Sequence, residues 1–305
     1  MAKHPKRGPA PIVGVMQQKI FGLPVDRDII FSNHKEIYKK RVEKRQRGLI
    51  IRLPFLKPFL AGDEKILLVT TGHSPPTIFE KMGLGWLFVY LKRSLLVFTD
   101  RRIFHVPTTP IYRYRNSIAQ ILYGSCQSIT LKGRALVITY SSQSVTDKFF
   151  SIAGREKKKI RDILTKVPIG GDGKTSTGRI HLCPQCAAPL FVSRSACQRC
   201  QLTFKSGTKA TILAILLPGG GYLYIRQPFL GVVAAILEVL LLIGIGSSLS
   251  DMTNGVTSSA TLFAGTSILF IITKLAAVVH TRVFIREFVP SPKVVTFQGL
   301  NAQTA

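Results

Sequence analysis

The sequence predicts a multidomain membrane protein: a β-barrel or sandwich closed by a C-terminal helix, then a small four-cysteine metal module, then an α-helical transmembrane hairpin. Three observations predict it. Short runs of β-branched and aromatic residues recur between Asp63 and Ala153, separated by Gly, Pro, Ser or Asp. Four of the five cysteines stand as C-x2-C-x10-C-x2-C. Two stretches of about 20 apolar residues, the length that crosses a hydrocarbon core, follow Lys209. In order, the parts are a basic N-terminal region (1–60), a β domain (61–168), a polar linker (169–180), the cysteine module (181–207), a broken apolar segment (208–227), two spans (228–289) and a tail (290–305).

Charge is uneven along the 305 residues, whose net charge is +27. Residues 1–60 carry 14 Lys/Arg against 4 Asp/Glu, and 61–168 carry 17 against 7. Residues 208–305 carry only 6 against 3. A field of that sign ahead of the apolar region favours an anionic partner, whether phospholipid headgroups, nucleic acid or an acidic protein. Retention of basic segments on the cytosolic side of a membrane accounts for the same bias by topology alone. Met1–Val25 has no apolar core of secretory length, and Pro and Gly interrupt what it has, so no secretory signal is expected.

Residues 1–24 are rich in Pro, Gly and Lys and are expected to be flexible. Asn33–Gly48 carries helix signals: Asn33 as cap, Glu36 three residues on, and Gly48 as stop. Its basic residues, Lys35, Lys39, Lys40, Arg41, Lys44, Arg45 and Arg47, suit either an anionic surface or plain solvation. Leu49–Gly62 is apolar, but Pro54 and Pro58 break it. It is expected to contact an interface or to pack on the next domain.

The strands follow as "KILLVTT", "WLFVYLK", "SLLVFTD", "RIFHVPT", "SIAQILY", "ALVITYS" and "KFFSIA", with Asp100 and Arg101 at a tight turn. Gly154–Val167 closes the run as an amphipathic helix. Ile160, Ile163, Leu164 and Val167 mark its apolar face, with Arg155, Lys157, Lys158, Lys159 and Arg161 largely off it. These basic residues are a second candidate contact for an anionic surface. "DEKILLVTT", "RSLLVFTDRRIFHVP" and "YRNSIAQI", followed by a terminal helix, resemble the bacterial pleckstrin-homology-like (PH-like) domains, which often carry a Thr-Asp-x-Arg turn between early strands. The resemblance covers roughly Ala61–Pro168. It implies binding of lipid, peptide or further copies of the chain, not catalysis. The spaced Lys…Lys/Arg-x-Arg pattern of phosphoinositide-binding members is not found.

"GDGKT" in the linker invites a phosphate-loop reading, but the pattern needs Gly where Pro168 stands. Cys183, Cys186, Cys197 and Cys200 have the spacing of a closed tetrahedral metal site. Two residues inside each pair aim both sulfurs at one ion, and ten between the pairs form a short hairpin. Four thiolates leave no open coordination position, so the expected ion is a structural zinc, with iron as the minor alternative. The module resembles a zinc ribbon, although Ala187 and Gln201 stand where ribbons often have Gly. His181 is read as a surface or packing residue, and Cys126 as a small buried apolar one.

Pro228–Leu249 and Ala260–His280 are the expected spans. Ala210–Ile225, interrupted by Pro218 and three glycines, suits a bent span, a re-entrant element or an interfacial helix. Pro218, Gly219, Gly221 and Tyr224 resemble the Pro-Gly-x-Gly-x-x-Tyr opening of small bacterial membrane domains. The connector Ser250–Ser259 lacks Lys and Arg, whereas Lys205, Lys209, Arg226, Arg282, Arg286 and Lys293 flank the other side. Both ends of the hairpin are therefore expected in the cytosol of a bacterial cytoplasmic membrane. Glu238 lies roughly 15 Å in from Pro228 and Lys274 roughly 12 Å in from Arg282, so an intramembrane ion pair is expected. A proton or ion relay is the functional alternative.

No catalytic constellation is found. The expected function is a membrane-anchored, cytosol-facing binding or scaffold protein, with an unidentified protein partner or a homo-oligomer as further possibilities. The alternatives are a membrane tether for nucleic acid and a small transporter or channel component.

Overall fold

Strands that read as unbroken apolar runs need cover on both faces, and that requirement organises the β domain. The structure, a computed structural model, describes residues 19–75, 92–141, 146–171, 178–191, 195–254 and 259–291. The expected strand "WLFVYLK" falls almost wholly outside these residues, as do parts of the linker and the tail. A central antiparallel sheet holds β3 (Ile66–His73), β4 (Arg93–Thr99), β5 (Arg102–Pro107) and β6 (Ile118–Leu122). A second sheet holds β7 (Cys126–Lys132), β8 (Ala135–Tyr140) and β9 (Thr146–Phe149). The two sheets meet where His73 and Phe150 exchange backbone hydrogen bonds of 2.8 and 3.1 Å. No closed barrel forms among the described residues. β7 is absent from the expected strands because only Cys126 and Ile129 of it are buried, which leaves too weak an apolar run.

One face of the central sheet presents Val69, Leu95, Val97, Phe104 and Ile118. The N-terminal segment covers it: a short hairpin of β1 (Lys19–Ile20) and β2 (Leu23–Pro24), then α1 (Arg27–Ile30), α2 (Lys40–Ile50) and a 3-10 turn at Pro54–Phe59. Residues 19–60 are thus a layer of the β domain. Leu53, Leu56 and Phe59 are buried, so the apolar Leu49–Gly62 stretch packs on the next domain; each such side chain contributes about 2 kcal/mol. The opposite face presents Leu68, Leu96, Phe98, Ile103 and Ile121 to the second sheet and to α3 (Lys157–Lys166), whose Ile160, Ile163 and Leu164 are buried as expected.

α2 starts six residues later than its signals suggest, with Lys39 and not Asn33 at the cap position. Asn33 Oδ1 accepts from the N–H of Lys35 at 2.8 Å and of Ile37 at 3.2 Å, closing a local turn instead of capping a helix. Gly48 lies inside the helix, which runs on to Ile50. Gln46 is buried and reads the free edge of β3 like another strand. Its Nε2 donates to Val69 O at 2.9 Å, and its Oε1 accepts from Val69 N at 3.0 Å.

The Thr99–Arg102 turn is an internal lock. Arg102 forks onto the fully buried Glu64, with Nε to Oε1 at 2.9 Å and Nη2 to Oε2 at 2.6 Å. Thr99 Oγ1 donates to Glu64 Oε1 at 2.7 Å, and Asp100 Oδ1 accepts from Lys65 N at 3.1 Å. Burial pushes the Glu64 pKa up, but the bonds from Arg102, Ala61 and Thr99 outweigh it and hold the carboxyl below its ordinary value. The pair's contribution is therefore present above pH 4.5 and lost as pH falls through the lower native value. Replacing Arg102 with Met strands a buried carboxylate and is expected to cost about 3 kcal/mol at neutral pH. Thermal melts across pH check this: the deficit shrinks in acid, and a deficit unchanged by pH would count against the lock.

Candidate metal centre and its junction with the apolar hairpin

The chain from Ile180 to Phe204 is too short for a core of its own, and its two halves are built alike. Cys183 N donates to Ala188 O at 2.8 Å, and Ala187 N to Cys183 O at 2.9 Å. Cys197 N donates to Leu202 O at 2.9 Å, and Gln201 N to Cys197 O at 3.0 Å. Each knuckle turns through a left-handed residue, Ala187 at φ 58° and Gln201 at φ 58°, the positions where ribbons favour glycine. The turns aim backbone N–H groups at sulfur, those of Gln185 and Cys186 at Cys183, and those of Arg199 and Cys200 at Cys197. The four Sγ atoms lie within 4.8 Å of one another, with Cys183 to Cys200 at 3.4 Å and Cys186 to Cys197 at 3.5 Å. Those separations approach the ~3.8 Å edge of a four-sulfur tetrahedron with metal–sulfur bonds of about 2.3 Å. None of the four forms a disulfide. The cluster can hold one metal ion.

Both sides of this module are bonded to something else. β10 (Ile180–Leu182) pairs with β11 (Pro189–Leu190) and also with β6, in the register His181 to Ala119. The module therefore extends the central sheet. On its other side Phe204 meets Phe288 edge-on at 5.4 Å, Lys205 N donates to Val289 O at 2.9 Å, and Ser291 N donates to Thr203 O at 2.9 Å. His181 packs on Phe288 at 5.1 Å. Ser117 Oγ donates to Glu287 O, and Arg115 lies over the Phe284 ring. Residues 284–291 thus close a seam against both the module and the β domain.

Those residues follow α7 (Ser259–Ile285), which runs back along α6 (Pro228–Thr253). Both helices are long and apolar enough to cross a membrane, with mean hydropathy 2.6 for α6 and 2.1 for α7. Only 22% and 6% of their most apolar windows are buried, so the apolar surface faces outward, unlike a core helix. The segment before them is a helix, a break and a helix: α4 (Gly207–Leu216) and α5 (Gly220–Tyr224). Its two ends meet, since Ser206 N donates to the Tyr224 hydroxyl at 3.2 Å and Lys205 Nζ to Tyr224 O. Ala210–Ile225 is thus two short helices whose outer ends come back together. Gly219 makes the break at φ 64°, and a Cβ there would sit 2.0 Å from Gly231 O.

Glu238 and Lys274 meet as expected, with Oε2 to Nζ at 2.7 Å. Each has a second duty that sequence reasoning missed. Glu238 Oε2 accepts from Gly219 N at 3.2 Å. Lys274 Nζ donates to Ala214 O at 3.1 Å and Leu217 O at 3.4 Å. The ion pair satisfies the backbone groups that the Pro218–Gly219 break releases. Tyr222 and His280, joined at 2.8 Å and both buried, form another pair that no sequence signal marked.

The two basic stretches come together but not as a uniform surface. Lys35, Lys39, Lys40, Arg41, Lys44, Arg47, Arg155, Lys158 and Arg161 are exposed, and Lys157 is half-buried. Arg47 pairs with Glu43 at 2.7 Å, and Arg45 pairs with the buried Glu156 at 3.0 Å. Lys159 departs from the expectation outright. It is buried, its Nζ donates to Ile29 O and Ser32 O, and burial pushes its pKa down to about 8. It pins α3 to the N-terminal layer and is not a surface contact. Cys126 is fully buried, as expected.

Ser74 and His105 stand 2.8 Å apart, the spacing of a nucleophile and its base. Arg179 Nη1 lies 3.1 Å from His105 Nδ1, and a guanidinium can only donate. The histidine proton therefore sits on Nε2 and points at Ser74, the reverse of what activation needs.

The left-handed knuckle residues cost about 1 kcal/mol each. Ala187→Gly with Gln201→Gly is expected to raise the melting temperature of the metal-loaded chain without changing its metal content. In the apolar hairpin, Glu238→Gln alone is expected to cost about 3 kcal/mol, and adding Lys274→Met to recover part of it. A double-mutant cycle in detergent checks this, and independent effects would break the pairing.

Comparisons with protein-family models, with curated proteins and with solved structures find no match to this chain.

Proposed function

We propose that this chain is a membrane-anchored scaffold that holds a binding domain, PH-like in its motif and element order, in fixed orientation at the cytosolic face of a membrane. The observation that carries this reading is the two-sided bonding of the four-cysteine module: β10 joins it to the sheet, and residues 284–291 join it to the hairpin. A tethering linker needs neither contact. The ion is zinc in this reading. An all-thiolate, closed site matches a structural ion that stabilises a fold too small to stand alone. Cytosolic placement follows from the basic residues flanking the apolar helices and from four cysteines kept for a metal. α6 and α7 cross the bilayer, and α4–α5 dips in and returns to the same side.

The full chain, reconstituted in lipid vesicles and spin-labelled at Lys132 in the β domain and at Asp251 beyond α6, tests the coupling. One zinc per chain and a narrow interspin distance distribution are expected, broadening when a chelator removes the metal while β-domain amide exchange stays slow. A distribution equally narrow without metal would reject the module as the coupler. Salt-steep, tight binding of duplex DNA by the same vesicles would replace the scaffold with a nucleic-acid tether. A flux abolished by neutralising Glu238 but insensitive to chelation would replace it with a transport component.

A further inference from the structure

A cavity of about 410 Å³ opens where α2, the turn before it and the start of α3 converge, within the size range of small-molecule sites. Its floor is Leu68 and Gln46, and Val42 lines one wall. Its charged lining is almost entirely basic, including Lys39, Arg41, Arg45, Arg155 and Lys159, with Glu156 as the single acid. That acid is already engaged. Glu156 pairs with Arg45 and accepts from Thr70, and Lys159 is committed to two backbone carbonyls. Lys39, Arg41 and Arg155 make no ion pair within 4.0 Å among the described residues, and Arg155 acts on Glu156 only at longer range. α2 also begins here, and its N-cap residue Lys39 supplies no side-chain acceptor for the N–H groups of the first turn.

Three cations outside any close ion pair, a helix N-terminus without a side-chain cap and an apolar floor fit one ligand chemistry. We propose that this cavity binds a phosphate ester, with its phosphate held by Lys39, Arg41 and Arg155 at the start of α2 and its small organic body against Leu68 and Val42. Arginine forks match phosphate oxygens in pairs, and the helix N-terminus adds N–H donors of the right sign. The site lies by β3, at the opposite edge of the central sheet from the metal module. Its existence does not depend on the anchoring role proposed above, and its failure would leave that role intact.

The test uses the full chain in an uncharged detergent, titrated calorimetrically with glycerol 3-phosphate, sodium pyrophosphate and dioctanoyl phosphatidic acid. Saturable binding of at least one probe at one per chain is expected. Arg41→Gln with Arg155→Gln is expected to weaken it about ten-fold or more, with melting temperature and metal content unchanged. Lys44→Gln with Lys158→Gln, which removes the same charge from exposed positions outside the cavity, is expected to leave it within about two-fold. Phosphatidic acid binding well above glycerol 3-phosphate would support the site and mark a lipid headgroup; equal binding would support it and mark a soluble ester. No saturable binding of any probe, or equal weakening by both double variants, would overturn the proposal.

Discussion

The joint between the β domain and the apolar hairpin is built around four sulfur atoms brought within 4.8 Å of one another. The segment that carries them buries little besides Leu182, Leu190, Leu202, Phe204, Cys183 and Cys197, and it borrows Phe288 from beyond α7. So small a cluster cannot offset the conformational entropy of ordering some twenty-five residues. A metal ion held by the four thiolates would supply the difference, and its effect would reach past its own ligands. β10 leads directly into the first knuckle, and Phe204 follows the second and meets Phe288.

A different constraint rules the apolar hairpin. Backbone groups enclosed between apolar helices have no water to turn to, so a helix break there must find partners within the protein. Pro218 leaves the carbonyl of Ala214 without its helical partner, the carbonyl of Leu217 keeps only the N–H of Gly220, and the N–H of Gly219 is released. Lys274 takes the first two and Glu238 takes the third, and the two ions then neutralise each other. Their geometry is that of a clasp around a turn. The glycines complete it by close approach, since a side chain at Gly219 would collide with the backbone of α6.

What could be read from the sequence had a local or periodic signature. The cysteine spacing located the metal ligands, the apolar runs located α6 and α7, and matching depths paired Glu238 with Lys274. What stayed hidden depended on contacts distant in the chain. Lys159 looks like one cation among many until Ile29 and Ser32 arrive from 127 or more residues away. Asn33 carries a cap's chemistry, but it spends its oxygen on Lys35 and Ile37 because the chain must turn there to bring α2 over β3. The Thr-Asp-x-Arg turn suggested a family, while its function as a lock on Glu64 needed the position of Arg102 in space. The linker looked like a spacer because nothing local announces that Ile180–Leu182 will pair with β6.

The seam at residues 284–291 also sets an order of assembly. The β domain and the four cysteines leave the ribosome well before α7, yet Phe204, His181 and Ser117 find their partners only on the far side of that helix. Until α7 is made and its end turns back, the underside of the module stays bare. Docking of residues 284–291 is thus the closing step for the module, and a chain stalled before it would leave that apolar face exposed.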